Sequence, residues 1–149
     1  GLMIKDKEPK LIEYNVRLGD PECQTILPRL QTDFLQLCLD ASKGNLINNK
    51  ISFSNKTSLC VVIASKGYPE KYKTGFKIMG LDKLKNYQNI TVFHAGTSIN
   101  TKKHLVSSGG RVLGITSLEN NIYEARKMAY SAIDNIYWSG SHFRKDIGI

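Results

Sequence analysis

The sequence is short of several things. It has no apolar run approaching the roughly 18 residues that a membrane-spanning helix needs, so nothing in it reads as a membrane span. Its first ten residues, GLMIKDKEPK, alternate apolar and charged too quickly for a secretory leader. It has no Cys-x-x-Cys pair. Its three cysteines (Cys23, Cys38, Cys60) are an odd number spaced 15 and 22 residues apart. That spacing excludes a disulfide framework or a zinc-finger pattern and fits a reducing cytoplasm. Internal repeats and low-complexity tracts are missing too.

What is present is a chain of 149 residues, 41% hydrophobic and 23% charged. That composition supports a packed core, and the length suits one domain or a small domain plus a piece of another. The net charge is +8, unevenly spread. Residues 1–44 hold 6 Lys+Arg against 7 Asp+Glu, a balance of −1, and residues 45–149 hold 15 against 6, a balance of +9. A field of that sign favours an anionic partner: nucleic acid, an acidic membrane or a phosphorylated metabolite.

Periodicity predicts strands at 2–4 and 10–16, joined by a polar turn at Asp6-Lys7-Glu8-Pro9. Asp20-Pro21 reads as an N-cap and first helical position, and Pro28 as the end of that turn. Thr32 is the expected cap of a second helix carrying Leu35, Leu37, Cys38, Leu39 and Ala41, stopped by Gly44. Residues 45–57 read as a polar boundary segment with one edge strand. Leu59 to Ala64 is a continuous apolar run, as in a strand buried on both faces. Further strands are expected over 75–81 and 90–95, with a loop to His104. Strands at 104–108 and 111–116 are expected to pair as a hairpin around Gly109-Gly110. Asn121 and Glu124 open a helix whose Ile122, Ala125, Ala129, Ala132, Ile133 and Ile136 recur at three- and four-residue steps. The class is α+β.

The densest chemistry lies in Glu13 to Glu22. Glu13 and Asn15, two apart on an expected strand, point a carboxylate and an amide oxygen the same way, a donor set suited to a hard divalent cation. Arg17 continues that face, and a guanidinium there suits phosphate oxygens. Spacing alone also fits an exposed polar strand face. Gly109-Gly110-Arg111 places an Arg, suited to phosphate, beside glycines that let backbone approach closely. A surface hairpin Arg fits equally. The string lacks dinucleotide-fingerprint spacing.

Arg17-Leu18-Gly19-Asp20-Pro21-Glu22-Cys23-Gln24 resembles the signature of the phosphoribosylamine–glycine ligase (glycinamide ribonucleotide synthetase) family, ATP-grasp enzymes of purine biosynthesis. Five further stretches are similar to family segments in family order: Leu27-Pro28-Arg29-Leu30, Val61-Val62-Ile63-Ala64-Ser65 with Gly67-Tyr68-Pro69, Phe93-His94-Ala95-Gly96-Thr97, Gly109 to Gly114, and Arg144 to Gly148. The resemblance implies that residues 1–44 are the end of an ATP-grasp fold. It implies a boundary over 45–57 and, over 58–149, the family's C-terminal domain, a mixed antiparallel sheet with a long helix. It further implies a fragment of a longer enzyme, which explains a chain that reads as starting mid-sheet and is expected to be inactive alone.

The resemblance also implies roles. Glu13 and Asn15 would be ligands of Mg²⁺ (or Mn²⁺) bridging the phosphates of ATP. Arg17 would stabilise the transferring γ-phosphoryl. Asp20 and Glu22 would hold the glycine ammonium or the amine nucleophile, although an N-cap and a first-turn carboxylate are their structural alternatives. Arg111 would meet the substrate's ribose phosphate. The implied partners are ATP, glycine, 5-phosphoribosylamine and the remainder of the enzyme, with no nucleic acid and no membrane. The competing class is a small basic nucleic-acid-binding module. It rests on the +9 balance alone, since an RNP string, a GXXG loop and a basic recognition helix are all missing.

Overall fold

A computed structural model describes residues 1–46 and 50–149. In chain order its regular elements are β1 (Leu2–Lys5), β2 (Glu8–Leu11), α1 (Glu22–Ile26), α2 (Phe34–Ser42), β3 (Thr57–Ser65), β4 (Ile90–His94), β5 (Thr97–Ile99), β6 (Leu105–Ser107), β7 (Arg111–Glu119), α3 (Ile122–Ile133) and β8 (Ser141–His142). Short 3-10 turns occupy Leu27–Arg29 and Leu81–Asn86. The fold is α+β with antiparallel sheets, as the order of elements predicts.

The centre is a four-stranded sheet in the order β4-β7-β3-β8, every pair antiparallel. The apolar run of β3 lies beside β7 over its whole length, with Leu59 opposite Ser117, Val61 opposite Ile115 and Ile63 opposite Leu113. These residues share one face because strand side chains alternate. That face meets α3, whose Ala125, Ala129, Ala132 and Ile133 are buried against it. Small alanines let the helix lie close to the sheet. Ser117, the polar member of the face, is satisfied: its hydroxyl donates to the carbonyl of Ala125 at 2.7 Å. Leu113, Ile115 and Trp138 are fully buried. Each such side chain contributes about 1.5–3 kcal/mol relative to exposure. Trp138 therefore packs in the core. The other face carries Cys60, Val62 and Ala64, and α1 also contacts β3 and β7.

Three expected elements differ. The 104–108 strand does not pair with 111–116. Instead β6 pairs with β5, in the stretch expected to be loop, and β7 turns away to the main sheet. The reason is at Gly109-Gly110. A Cβ on Gly96 would lie 2.6 Å from the Cα of Gly109, and a Cβ on Gly110 would lie 2.1 Å from the Tyr68 ring. The two glycines allow close crossing of chain and ring rather than a tight hairpin turn. The 75–81 stretch is not a continuous strand. It makes single bridges from Lys77 to Val106 and from Met79 to Tyr137, then turns at Gly80.

Residues 1–44 are built more loosely. β1 and β2 form a hairpin whose turn residues Asp6 and Lys7 have φ of 53° and 66°. β2 starts at Glu8 and ends at Leu11, so of the expected strand over 10–16 only Lys10 and Leu11 belong to it. α2 is capped by Asp33, whose carboxylate accepts from the N–H of Gln36 at 3.0 Å. Thr32, the expected cap, instead accepts from the N–H of Ser52 at 2.9 Å. Gly44 follows α2 in the left-handed region, as a helix stop should. The boundary segment 45–57 includes residues 47–49, which lie outside the described residues. Its remainder pairs once, Phe53 with Leu30, in place of an edge strand.

Candidate active site

Past Leu11 the chain leaves the hairpin without a sheet partner among the described residues, and Gly1 ties it through two backbone bonds. The carbonyl of Gly1 accepts from the N–H of Ile12 at 2.9 Å, and its nitrogen donates to the carbonyl of Glu13 at 2.8 Å. The period-two reading survives this shortening. The amide of Asn15 donates to Oε1 of Glu13 at 2.9 Å, so the two side chains meet. The bond uses an N–H of Asn15 and Oε1 of Glu13, so the Asn15 carbonyl oxygen and the second Glu13 oxygen take no part in it. Among the described residues no cluster of three or more His, Cys, Asp or Glu could hold a metal by itself. Glu13 and Asn15 supply the number and type of oxygens that Mg²⁺ takes from protein, one or two, with the rest coming from phosphate and water.

Glu13, Asn15, Arg17 and Glu22 line one groove of about 1160 Å³, whose other wall is apolar and includes Ile26, Leu30 and Phe34. Arg17 is exposed, and its one side-chain hydrogen bond among the described residues is a long one, Nη1 to the carbonyl of Leu18 at 3.4 Å. It has no carboxylate partner among the described residues, so its charge is available to an anion. Glu22 is engaged: Oε2 accepts from the N–H of Gly19 at 2.6 Å. A Cβ at Gly19 would come within 2.9 Å of that same oxygen, so glycine is needed for the contact.

Asp20 does not cap α1. Pro21 occupies the cap position, without any side-chain cap bond. The Asp20 carboxylate turns instead to the other half of the chain, where Arg111 Nη1 donates to its Oδ2 at 3.0 Å and to its backbone carbonyl at 3.2 Å. Arg111 Nε donates to the hydroxyl of Tyr68 at 2.9 Å, and the guanidinium carbon lies 5.7 Å from the centre of that ring. The Tyr68 bond, and after it the bond to Asp20, hold Arg111 still more firmly protonated than usual. Two of its three guanidinium nitrogens are thus committed to the fold, and Nη2 is left over. His94 is exposed at the end of β4, with Nδ1 3.1 Å from the Thr97 hydroxyl.

Residues 58–149 match the family model described as "Phosphoribosylglycinamide synthetase, C domain". The chain belongs to the phosphoribosylglycinamide synthetase C-domain family. It is 48% identical, over 99% of its length, to the phosphoribosylamine–glycine ligase of Caldanaerobacter subterraneus, of which it covers 34%. It is 45% identical, again over 99% of its length, to the chloroplastic phosphoribosylamine–glycine ligase of Arabidopsis thaliana, of which it covers 28%. The crystal structure of the phosphoribosylamine–glycine ligase of Thermotoga maritima superposes with a TM-score of 0.83 at 31% identity, covering 98% of this chain and 35% of that one. The chain spans about a third of the length of the curated relatives it matches. Among the described residues no helix is long and apolar enough to cross a membrane.

For this synthetase C-domain chain, sequence reasoning missed Tyr68. Gly67-Tyr68-Pro69 resembles a family segment, and that resemblance assigns Tyr68 no role. The signal was the small residue pair at 109–110, which leaves room for a ring from elsewhere, but the ring's source lies 42 residues away from Gly110 and has no local pattern.

Proposed function

We propose that the chain is the C-terminal part of an ATP-dependent ligase that joins glycine to 5-phosphoribosylamine, giving glycinamide ribonucleotide, ADP and phosphate. The observation that carries this reading is that Glu13, hydrogen-bonded to Asn15, shares a groove with Arg17 and Glu22, in a chain matched along 99% of its length to phosphoribosylamine–glycine ligases. Residues 1–44 are assigned to the end of an ATP-grasp domain, 45–57 to the boundary and 58–149 to the C-terminal domain. Three free cysteines support a reducing compartment, and we place the reaction in the cytoplasm.

In this reading the glycine carboxylate takes the γ-phosphoryl group of ATP to form an acyl phosphate. The amine of phosphoribosylamine then attacks its carbonyl carbon and phosphate leaves. Glu13 and Asn15 would hold Mg²⁺ (or Mn²⁺), which when bound would neutralise phosphate charge. Arg17 offers an uncommitted guanidinium to the phosphoryl oxygens as their charge shifts. Glu22, fixed by Gly19, presents negative charge in the same groove to an ammonium group. Asp20, fixed by Arg111, supplies a second carboxylate on the side nearer β7. Arg111, held by Tyr68 and Asp20, has Nη2 free for the ribose phosphate. The nucleic-acid module has only the basic balance of residues 45–149 behind it, and no site observation favours it.

The test is glycine- and phosphoribosylamine-dependent ADP release by a full-length ligase containing this chain. Glu13→Gln and Arg17→Ala should each lower turnover about 10²-fold or more, with an unchanged melting temperature. Wild-type turnover in either variant overturns the assigned role. The 149-residue chain alone should release no ADP.

A further inference from the structure

We propose that residues 143–148 form a strap that guards the open edge of β3, and that releasing it turns this edge into a strand-pairing surface for a second copy of the chain. The inference stands or falls independently of the ligase reading. β3 pairs with β7 along one edge, from Thr57 to Ala64. On its other edge only Ala64 and Ser65 have a strand partner, in β8. Among the described residues no strand pairs with 57–63 on that side. Left open, that edge would be a hazard. Leu59 to Ala64 is apolar throughout, without charge, proline or glycine, the composition that pairs edge to edge between chains. Yet Leu59, Cys60, Val61 and Ile63 are all buried.

The strap starts where β8 ends, on the open edge, and reaches the far end of β3. A Cβ on Gly148 would lie 2.3 Å from Cδ1 of Leu59, and Gly148 has φ of 79°. Glycine is therefore needed there twice, for the backbone conformation and for the close approach. Between those ends α3 grips the strap by its backbone. Arg126 donates from Nη2 to the carbonyl of Lys145 at 2.7 Å and from Nε to the carbonyl of Ile147 at 3.2 Å. The Tyr130 hydroxyl donates to the carbonyl of Arg144 at 2.7 Å and accepts from the N–H of Ile147 at 3.2 Å. The Arg126 guanidinium carbon lies 5.0 Å from the centre of the Tyr130 ring, so the two grips brace each other.

The strap has two unlike sides. Phe143 and Ile147 pack against the core, while Arg144, Lys145 and Asp146 are exposed. The bonds that hold 144–147 run to α3 side chains, so the strap covers β3 without adding a strand to the sheet. It puts charge outward where an apolar edge would otherwise face a neighbour, which is how edge strands are kept from pairing. A cover held by a few side-chain bonds also opens more readily than a core strand does.

The experiment compares the full chain with Tyr130→Phe, with Arg126→Met/Tyr130→Phe, and with Leu84→Ala, a core truncation outside both the strap and β3. Amide exchange and sedimentation over a concentration series are the two measurements. In Tyr130→Phe the Ile147 amide loses its acceptor and should exchange at least about tenfold faster. The double variant should self-associate at concentrations where the wild-type chain and Leu84→Ala do not, and amides 59–63 should exchange more slowly in the assembly than in its monomer. Tyr130→Phe, which keeps the ring, should show the same association more weakly, so the test survives a double variant that does not fold. Unchanged exchange at Ile147 would overturn the proposal. So would equal association of Leu84→Ala, no association of variants whose strap has opened, or an assembly that leaves 59–63 unprotected.

Discussion

Residues 1–44 and residues 58–149 solve opposite problems. The first region carries Glu13, Asn15, Arg17 and Glu22, yet none of its residues is buried, and Leu2, Ile4, Tyr14, Val16 and Leu35 are all exposed. The second region holds the whole hydrophobic core, from Leu59 to Trp138. The side chains proposed to bind ligands thus sit on a frame with little packing of its own, beside the core of the second region. The link is specific: Arg111, at the first position of β7, reaches back to the carboxylate and carbonyl of Asp20. A preorganised site needs such outside support when its own elements are short.

The largest test of the contrast is truncation of one leucine in each region. Leu113→Ala, at a fully buried position, should cost about 2–5 kcal/mol in chemical denaturation, from lost transfer energy plus the cavity left behind. Leu35→Ala, on exposed α2, should change stability by less than about 0.5 kcal/mol. Equal costs would mean that the two regions share a core after all.

A smaller effect sharpens the same contrast. Asn121 caps α3 and Asp33 caps α2 by the same bond, from a side-chain oxygen to the N–H three residues on. Removing such a cap typically costs about 1 kcal/mol. Asn121→Ala should lower global stability by that amount, because α3 is part of the core. Asp33→Ala should leave the global transition in place and speed amide exchange within α2 only. A global loss from Asp33→Ala would show that the first region unfolds together with the second.

The link itself comes next. A double-mutant cycle of Asp20→Asn and Arg111→Gln should give a coupling of about 0–1 kcal/mol, since both side chains are about half exposed and screened by solvent. Tyr68→Phe keeps the ring on Gly110 and removes the hydroxyl that orients Nε. In the full-length ligase it should raise KM for phosphoribosylamine severalfold while kcat holds. A fall in kcat with KM unchanged would place Tyr68 in folding or chemistry instead of in orienting Arg111.

How much of this was legible depended on whether the cause was local. β3 and α3 followed from apolar pattern and a cap residue, which act within a few positions. The Glu13–Asn15 meeting followed from extended chain geometry and did not require the sheet partner that had been expected. What failed was settled at a distance. Asp20 has every local feature of an N-cap, but a guanidinium 91 residues later provides a charged partner. Thr32 likewise gives way to Asp33 because its hydroxyl is taken by Ser52, 20 residues on. The Gly109-Gly110 pair has the composition of a hairpin turn, and only the Tyr68 ring lying against it explains why it is not one.

The smallest effect crosses the two regions chemically. Cys60 lies on β3 opposite Thr116, and burial raises its thiol pKa; the polar Thr116 hydroxyl partly offsets this, and the negative charge of Asp20 adds to the rise. A group whose folded pKa is raised adds stability that is complete below its unfolded pKa, about 8.5 for a thiol, and is lost as pH climbs through the higher folded value. The fold should therefore lose stability above about pH 8.5 by an amount that Cys60→Ala abolishes, read from denaturation midpoints at a series of pH values. Exposed Cys38 gives the internal control: it should react with a thiol reagent at neutral pH while Cys60 stays protected. Asp20→Asn should then shift the onset of Cys60 reactivity to slightly lower pH, because one of the charges opposing the thiolate is gone. No shift would mean that Asp20 is not held near the sheet in solution, and that the contact joining the two regions is weaker than its geometry implies.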